Sequence, residues 1–198
     1  MDAVAMARTE FVVIGASAGA LSALTALMPS LPADLGPAVA VVVHVPARGP
    51  NLMASVLSPH CVLPIVEIED KQPVTPGAVY LAPADYHVLI ESDRRFTLNA
   101  DDPVNFSRPS IDVLFESAAV VFADRALGII LTGANADGAL GLRAIRAAGG
   151  LAVVQDPSSA AVPDMPRAAI AAANPHEVLD LAAMGDLLRS LPRRGPRS

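Results

Sequence analysis

The chain has 198 residues, a length typical of one domain, and 53% of them are hydrophobic whereas only 17% are charged. This balance excludes a disordered chain, which would be polar and highly charged. The net charge of −6 excludes a surface built for nucleic acid, and the single cysteine, Cys61, excludes an intrachain disulfide and favours a reducing, cytoplasmic compartment.

The first part of the chain alternates between apolar strands and helices. Residues 11–14 form an apolar run that ends at Gly15, and residues 21–28 follow with helical spacing. Residues 38–43 are a second unbroken apolar run, which is typical of a strand buried on both faces of a parallel sheet. A helix over residues 51–57 comes next.

Residues 11–28 carry no charge and reach the lower limit of a membrane-spanning length. Glycine, serine and threonine interrupt this segment, and Arg8 and Glu10 precede it without the net positive charge of a secretory leader. A strand that turns into a helix explains the same residues, so we expect no membrane insertion.

The middle of the chain has shorter apolar runs separated by turn signals, at residues 65–68, 79–81, 88–91 and 96–98. This pattern predicts a short antiparallel elaboration. Beyond it, Ser110 is a plausible N-cap for a helix over residues 111–123. Strands are predicted at 127–131 and 151–154, and helices at 139–148, 166–173 and 176–191.

Alternating strands and helices predict a doubly wound α/β fold, with a mostly parallel sheet and helices on both faces. Functional sites in such folds lie at the carboxyl ends of the strands. We expect an N-terminal extension over residues 1–10, one domain over residues 11–191, and a basic tail over residues 192–198 that contains Arg193, Arg194 and Arg197.

Gly15-Ala16-Ser17-Ala18-Gly19 follows the first predicted strand and matches the G-x-S-x-G elbow, which presents a serine at a helix N-terminus. The free N–H groups there stabilise negative charge on a reacting oxygen. Ser17 is therefore a candidate nucleophile, although a tightly packed or phosphate-binding turn fits the same residues. An α/β-hydrolase is excluded because only one strand precedes Ser17, and a Rossmann fingerprint because position 17 is not glycine.

His44 ends the second predicted strand and points at the same edge of the sheet as Ser17, so its imidazole could accept the serine proton. A structural, hydrogen-bonded histidine is the alternative. His87, in a loop-to-strand transition, is the stronger competing base, whereas capping or solvent exposure suffices for His60 and His176.

Asp137 follows the strand predicted at residues 127–131, again where a strand leads into a helix. Its carboxylate could hold the histidine in the correct tautomer. Because aspartate is also a favoured N-cap, capping of the next helix is the alternative. All three candidates fall at one predicted edge, which makes the set more specific than any member.

Taken together, these features resemble the catalytic domain of the CheB-type chemotaxis methylesterases, over about residues 11–191. The resemblance rests on residues 14–19, 43–46, 80–83 with His87, 108–115, 131–133 with 137–139, Gln155-Asp156 and Met165-Pro166. It implies the same parallel fold and a Ser…His…Asp order with Ser17, His44 and Asp137 as catalytic residues. It also implies an oxyanion hole from the backbone N–H groups of Ala18 and Ala134. Arg108 and Ser110 are expected near the substrate mouth; the alternatives are that Arg108 anchors a loop and Ser110 caps a helix.

The sequence departs from the family pattern in two places. Ala18 follows the nucleophile, where the family commonly has threonine, and Thr132-Gly133-Ala134-Asn135 replaces a Thr-Gly-Met-Gly loop. Alanine keeps the backbone donor, and asparagine is among the residues that tolerate left-handed backbone angles. The family often carries a receiver domain, which this sequence lacks, so we expect no phosphorylation control within the chain.

The resemblance implies a serine hydrolase that demethylates glutamate methyl esters on a methyl-accepting chemoreceptor or related signalling protein and releases methanol. Deamidation of receptor glutamines would follow the same route, and no metal or organic cofactor is needed. Two alternatives stay open: a diverged, non-catalytic binding module of the same fold, and an esterase for small soluble substrates.

Overall fold

The computed structural model describes residues 3–44 and 52–195, and a seven-stranded parallel sheet lies at its centre. The strand order across the sheet is β3-β4-β2-β1-β7-β8-β9. Its strands are β1 (Phe11–Ala16), β2 (Ala38–Val43), β3 (Ile65–Glu67), β4 (Val79–Leu81), β7 (Ala126–Ile130), β8 (Leu151–Gln155) and β9 (Glu177–Leu179). The prediction of a doubly wound, mostly parallel α/β fold is confirmed.

Helices cover both faces of the sheet because successive side chains of a strand point to opposite faces. In β1, Val12 and Ile14 pack into one core and Phe11 and Val13 into the other. The first core also takes side chains from α1 (Ala3–Ala7), α2 (Ala20–Leu27), α3 (Met53–Leu57) and α7 (Leu181–Arg189). The second takes them from α4 (Ile111–Phe122), α5 (Ala139–Ala147) and α6 (Asp164–Ala173).

The antiparallel elaboration is smaller than the sequence predicts. Among the strands that the structure describes, only β5 (His87–Ile90) and β6 (Phe96–Asn99) pair in antiparallel fashion. The strands predicted at residues 65–68 and 79–81 instead extend the main sheet, where β4 pairs in parallel with both β2 and β3. Three-residue strands carry too short a pattern to reveal their direction, so that part of the prediction was wrong.

The helix predicted over residues 176–191 is in fact a strand followed by a helix. β9 pairs in parallel with β8, and α7 begins only after Asp180, whose side chain accepts a hydrogen bond from the N–H of Ala183 at 2.8 Å. An aspartate cap fixes a helix start at this position. The apolar residues before it were free to join the sheet edge.

The uncharged segment at residues 11–28 is β1, a turn and α2, as the strand-to-helix interpretation requires. Within residues 3–44 and 52–195, no helix has both the length and the apolar character needed to cross a bilayer. In the predicted basic tail, Arg193 pairs with Asp34 at 2.8 Å. The predicted segments 1–10, 43–46, 51–57 and 192–198 lie partly outside the described residues, and Pro46, Asn51 and Arg197 are among the residues that are not described.

Candidate active site

The position of β1 brings the candidate residues together. β1 pairs with β2 on one side, where Ala16 lies opposite Val43, and with β7 on the other, where Gly15 lies opposite Ile130. Ser17 directly follows β1 and His44 directly follows β2. The loop that carries Asp137 follows β7, so all three reach the same edge of the sheet from neighbouring strands.

A continuous chain of contacts joins the three side chains. His44 Nδ1 lies 3.2 Å from Ser17 Oγ, and His44 Nε2 lies 2.7 Å from Asp137 Oδ2. With Nε2–H donated to the carboxylate, Nδ1 carries the lone pair that can accept the serine proton. Chymotrypsin-type proteases use the two ring nitrogens the other way round, so the two sites share the connectivity but not the ring orientation.

Asp137 is completely buried and accepts hydrogen bonds from a helix to which it does not belong. Its Oδ2 accepts from the N–H of Ile111 at 2.6 Å, and its Oδ1 from the N–H of Asp112 at 3.2 Å. Ile111 and Asp112 are the first residues of α4, so Asp137 caps that helix from outside. The expected alternative, capping of its own helix, does not occur because Gly138 occupies the N-cap of α5.

Two opposing effects set the charge state of Asp137. Burial raises the pKa of its carboxyl, but hydrogen bonds from His44, the N–H of Ile111, the Ser110 hydroxyl and Asn105 together outweigh burial and bring the pKa below its usual value. Hydrogen bonds to a carboxylate favour the ionised form. Asp137 is therefore ionised at neutral pH and available to hold an imidazole.

A second buried carboxylate lies beside the first. Asp112 is only 4% exposed and accepts a hydrogen bond from the N–H of Gly141 at 2.7 Å. Burial and the neighbouring charge of Asp137 raise the pKa of Asp112 above its usual value. The two carboxylates thus have different environments although they sit within one hydrogen-bonded cluster.

The loops after β1 and β7 are tied to each other. The N–H of Ser17 donates to the Thr132 carbonyl at 2.9 Å, and the Thr132 hydroxyl donates to the Ala18 carbonyl at 2.8 Å. Gly19 turns the chain into α2 with φ of 83°, a backbone angle that favours glycine. In the part of the chain that the structure describes, no acceptor contacts the N–H of Ala18 or Ala134. An oxyanion role for the two N–H groups stays a prediction.

Asn135 does not use the left-handed backbone angles that its replacement of a glycine suggested. Its φ is negative, and its side-chain oxygen accepts a hydrogen bond from the N–H of Asp137 at 3.2 Å. This local turn is a common use of asparagine side chains. The residue therefore helps to orient the segment that carries Asp137.

Arg108 and Ser110, the two residues expected near the substrate mouth, are engaged by other partners. The Arg108 guanidinium contacts Asp85 Oδ1 at 2.6 Å and the Ala100 carbonyl at 2.8 Å. Ser110 is fully buried, and its hydroxyl donates to Asp137 Oδ1 at 2.7 Å. These contacts anchor a loop and support the carboxylate, and a substrate-binding role for either residue stays a prediction.

The other candidate histidines occupy structural or exposed positions. His87 is only 2% exposed; its Nδ1 accepts from the N–H of Ser110 at 3.2 Å, and its Nε2 lies 3.1 Å from the Asp102 carbonyl. It thereby anchors the loop before α4. His176 lies 2.8 Å from Arg146 Nη1 and accepts from the N–H of Ala152, and His60 ends an exposed turn.

Sequence reasoning missed three residues of one loop. Asn105 Nδ2 lies 3.2 Å from Asp137 Oδ1, and Ser107 Oγ lies 3.4 Å from His44 Nδ1. Between them, the Phe106 side chain is fully exposed, and Asn105 and Phe106 both have positive φ. No periodicity marks this loop in the sequence, and only the block at residues 108–115 pointed to the region.

Comparisons with known proteins place the chain in a family. The family model described as CheB methylesterase matches residues 12–188. A Leptospira interrogans protein named as a candidate protein-glutamate methylesterase/protein-glutamine glutaminase is 47% identical over 178 residues, which cover 90% of this chain and 92% of that protein. Proteins with that name from Bordetella parapertussis and Maricaulis maris are 41% and 38% identical over 95% and 90% of this chain. The chain spans about half the length of these last two, 54% and 45%.

A solved structure has the same fold. The crystal structure of the Thermotoga maritima CheB methylesterase catalytic domain matches with a TM-score of 0.86 and 30% identity. The match covers 91% of this chain and 97% of that domain. The two proteins therefore share the same overall fold over most of this chain.

Proposed function

Because the chain belongs to the CheB methylesterase family, we propose that it hydrolyses glutamate methyl esters on a chemoreceptor-type protein and releases methanol. The observation that carries this proposal is the chain of contacts from Ser17 Oγ through His44 to the buried carboxylate of Asp137. A hydroxyl, a base and an orienting acid in this connectivity are what nucleophilic acyl transfer requires.

The reaction proceeds in two halves. Ser17 Oγ attacks the ester carbonyl while His44 Nδ1 takes its proton, and His44 then passes the proton to departing methoxide, which leaves as methanol. Water, activated by the same imidazole, next attacks the acyl-enzyme and frees the glutamate carboxylate. Asp137 keeps Nε2–H engaged and stabilises the imidazolium that forms in each half. A glutamine amide follows the same route and releases ammonia.

Backbone donors stabilise the tetrahedral intermediate. The N–H groups of Ala18 and Ala134 lie on the two loops that Thr132 ties together, and both are unoccupied among the described residues. Each such donor typically contributes about 3–4 kcal/mol to transition-state stabilisation. Because both are main-chain groups, the alanines that replace the family's threonine and methionine leave this function intact.

A polypeptide substrate is favoured over a small ester by the exposed aromatic ring beside the site. Phe106 lies between Asn105, which contacts the acid, and Ser107, which contacts the base. Aromatic side chains that stay exposed are typical of protein-binding surfaces. We expect the Phe106 ring to rest on the helix that presents the methylated glutamate, in the cytoplasm.

Methanol release from a methylated receptor tests the proposal. The parent protein releases methanol, Ser17→Ala releases none, and Asp137→Asn turns over about 10⁴-fold more slowly, the cost measured for loss of the acid in a serine protease. A fluorophosphonate probe forms an adduct at Ser17 in the parent and still does so in Ser107→Ala, the matched variant at the second hydroxyl near Nδ1. Full activity in Ser17→Ala would refute the proposed mechanism.

The same experiment separates the alternatives. A non-catalytic binding module would bind the receptor without methanol release and without probe labelling. A small-molecule esterase would hydrolyse a short methyl ester at least as well as the methylated receptor helix.

A further inference from the structure

The side-chain amide of Asn105 lies between the two buried carboxylates of the site. Its Nδ2 is 3.2 Å from Asp137 Oδ1 and 3.0 Å from Asp112 Oδ2. An amide nitrogen carries two hydrogens, so one N–H can serve each carboxylate. Asn105 is thus a donor shared by the orienting acid and its buried neighbour.

The shared donor lies where two carboxylates repel each other. Two adjacent buried carboxylates repel each other, and each disfavours ionisation of the other. Two other ionisable groups face the pair. His44 contacts Asp137, and Glu116 lies near Asp112. Glu116 adds negative charge, and the imidazole donates its N–H to Asp137 alone, so it serves one side of the pair only.

The donors are unevenly shared between the carboxylates. Asp137 also accepts from Ser110, Ile111 and Asp112. Asp112 accepts from backbone N–H groups of Gly141 and Gly138, and Asn105 is the side-chain donor that contacts its Oδ2. A buried carboxylate oxygen without a donor is costly. Loss of the amide would therefore disturb Asp112 as well as Asp137.

The backbone of the loop helps to fix the position of the Asn105 amide. Asn105 has φ of 51°, a conformation in which asparagine is enriched, and the loop is anchored behind it by Arg108 and by His87. We propose that Asn105 is a positioning residue, which keeps Asp137 ionised and oriented toward His44 by donating to both carboxylates at once. The proposal rests on the proposed function of this site.

Two variants isolate the amide from the backbone. Asn105→Gly removes the side chain yet accepts the positive φ without strain, and Asn105→Asp keeps the shape but replaces the donor with a third carboxylate. Asn174→Gly is the matched control, because Asn174 is an exposed asparagine with φ of 46° at the end of α6, far from the site.

The measurement is the rate of fluorophosphonate labelling of Ser17 as a function of pH, beside thermal unfolding. We expect Asn105→Gly to react about tenfold more slowly at neutral pH, the usual effect of one hydrogen bond to a charged group. On acidification its labelling rate should also fall at a higher pH than that of the parent, since Asp137 then binds a proton more readily. Asn105→Asp should move this fall to a still higher pH, and Asn174→Gly should match the parent.

The pH profile distinguishes positioning from simple structural support. If Asn105→Gly lowers the rate equally at every pH, or changes only the unfolding temperature, Asn105 does not act through the ionisation of Asp137 and the inference is wrong. Labelling does not depend on the receptor, so a parent that reacts with the probe but releases no methanol overturns the proposed substrate while the inference is still tested. A parent that does not react with the probe overturns both.

Discussion

Asp137 holds the imidazole of His44 and also closes the first turn of a helix that begins far from it in the chain. The free N–H groups of a helix N-terminus favour negative charge. Together with the hydrogen bond from His44 and those from Ser110 and Asn105, the N–H groups of α4 favour the ionised carboxylate. The carboxylate in turn caps α4, which the Ser110 side chain does not do. In the proposed mechanism, catalysis and helix capping thus depend on the same two oxygens.

The expected contact between Phe106 and the receptor helix can be tested by substitution. Phe106→Ala should raise KM for a methylated receptor helix about tenfold, because burying a phenylalanine ring contributes about 1.5–3 kcal/mol. Hydrolysis of a short methyl ester should change much less, since its reacting group meets only the strand-end residues. Steady-state kinetics on both substrates make the comparison.

Val120→Ala is the control for this substitution, because Val120 is an exposed apolar residue, 83% accessible, on α4. It should leave both substrates unaffected. An equal loss on the receptor helix and on the short ester would show that Phe106 acts on the chemistry and not on substrate binding.

Strand ends made part of this site predictable. Ser17 and His44 follow uninterrupted apolar runs, and the carboxyl ends of parallel strands share one edge, so their proximity follows from the fold class. Asn105 could not be found in this way. It lies in an irregular loop whose path depends on distant anchors such as Arg108 and His87, and no local pattern encodes those contacts.

At the scale of elements, the close approach of α4 and α5 sets the distance between the two carboxylates. A side-chain carbon at Gly141 would lie 2.5 Å from Phe115 Cβ and 3.0 Å from the Asp112 carbonyl oxygen. The glycine therefore allows its N–H to reach Asp112 Oδ1 at 2.7 Å. Small size at this position, and not backbone freedom, is what the packing requires.

Gly141→Ala should lower the free energy of unfolding by about 1–3 kcal/mol, because the added methyl group meets a neighbouring helix that cannot move aside without losing its own packing. Activity should fall with it, because Asp112 on α4 and the N–H groups that α4 donates to Asp137 would both shift. Chemical denaturation and the labelling rate of Ser17 give the two values.

Gly185→Ala is the matched control within a helix. Its added carbon would meet Ser30 Oγ at 2.6 Å, the end of a side chain that can rotate, and it lies on α7, away from the site. We expect a small change in stability and normal labelling. If Gly141→Ala behaves in the same way, the two helices are not held at a fixed distance.

Secondary structure was predictable where the pattern was long. Residues 38–43 were assigned as a strand with the observed bounds, since six consecutive apolar residues leave little ambiguity. β9 was missed because three residues cannot be distinguished from the first turn of the helix that follows. The direction of β3 and β4 likewise depends on their neighbours in the sheet and not on their own residues.

For the whole molecule, the low pKa of Asp137 makes stability depend on pH. Its pKa in the folded state lies below the value in the unfolded chain, about 3.9 for an aspartate, so the ionised carboxylate adds stability above that pH. This contribution is lost as pH falls through the folded-state pKa. Asp137→Asn should therefore unfold more easily than the parent at neutral pH, and the difference should shrink below about pH 4.

Denaturant titrations at several pH values test this sign. Asp93→Asn is a suitable control, since Asp93 is exposed and pairs with Arg95 only at 3.7 Å. Its free energy of unfolding should match that of the parent at every pH. A gap between Asp137→Asn and the parent that widens on acidification would mean that the carboxylate destabilises the fold.

The placement of β1 between β2 and β7 also governs the order in which the enzyme can be assembled on the ribosome. His44 and Asp137 are 93 residues apart, so β1, β2 and the hydroxyl–imidazole pair are synthesised long before the carboxylate. Translation proceeds at about 5–20 residues per second, so several seconds pass between the synthesis of His44 and that of Asp137. In the proposed mechanism, the site is therefore complete only after β7 has paired with β1.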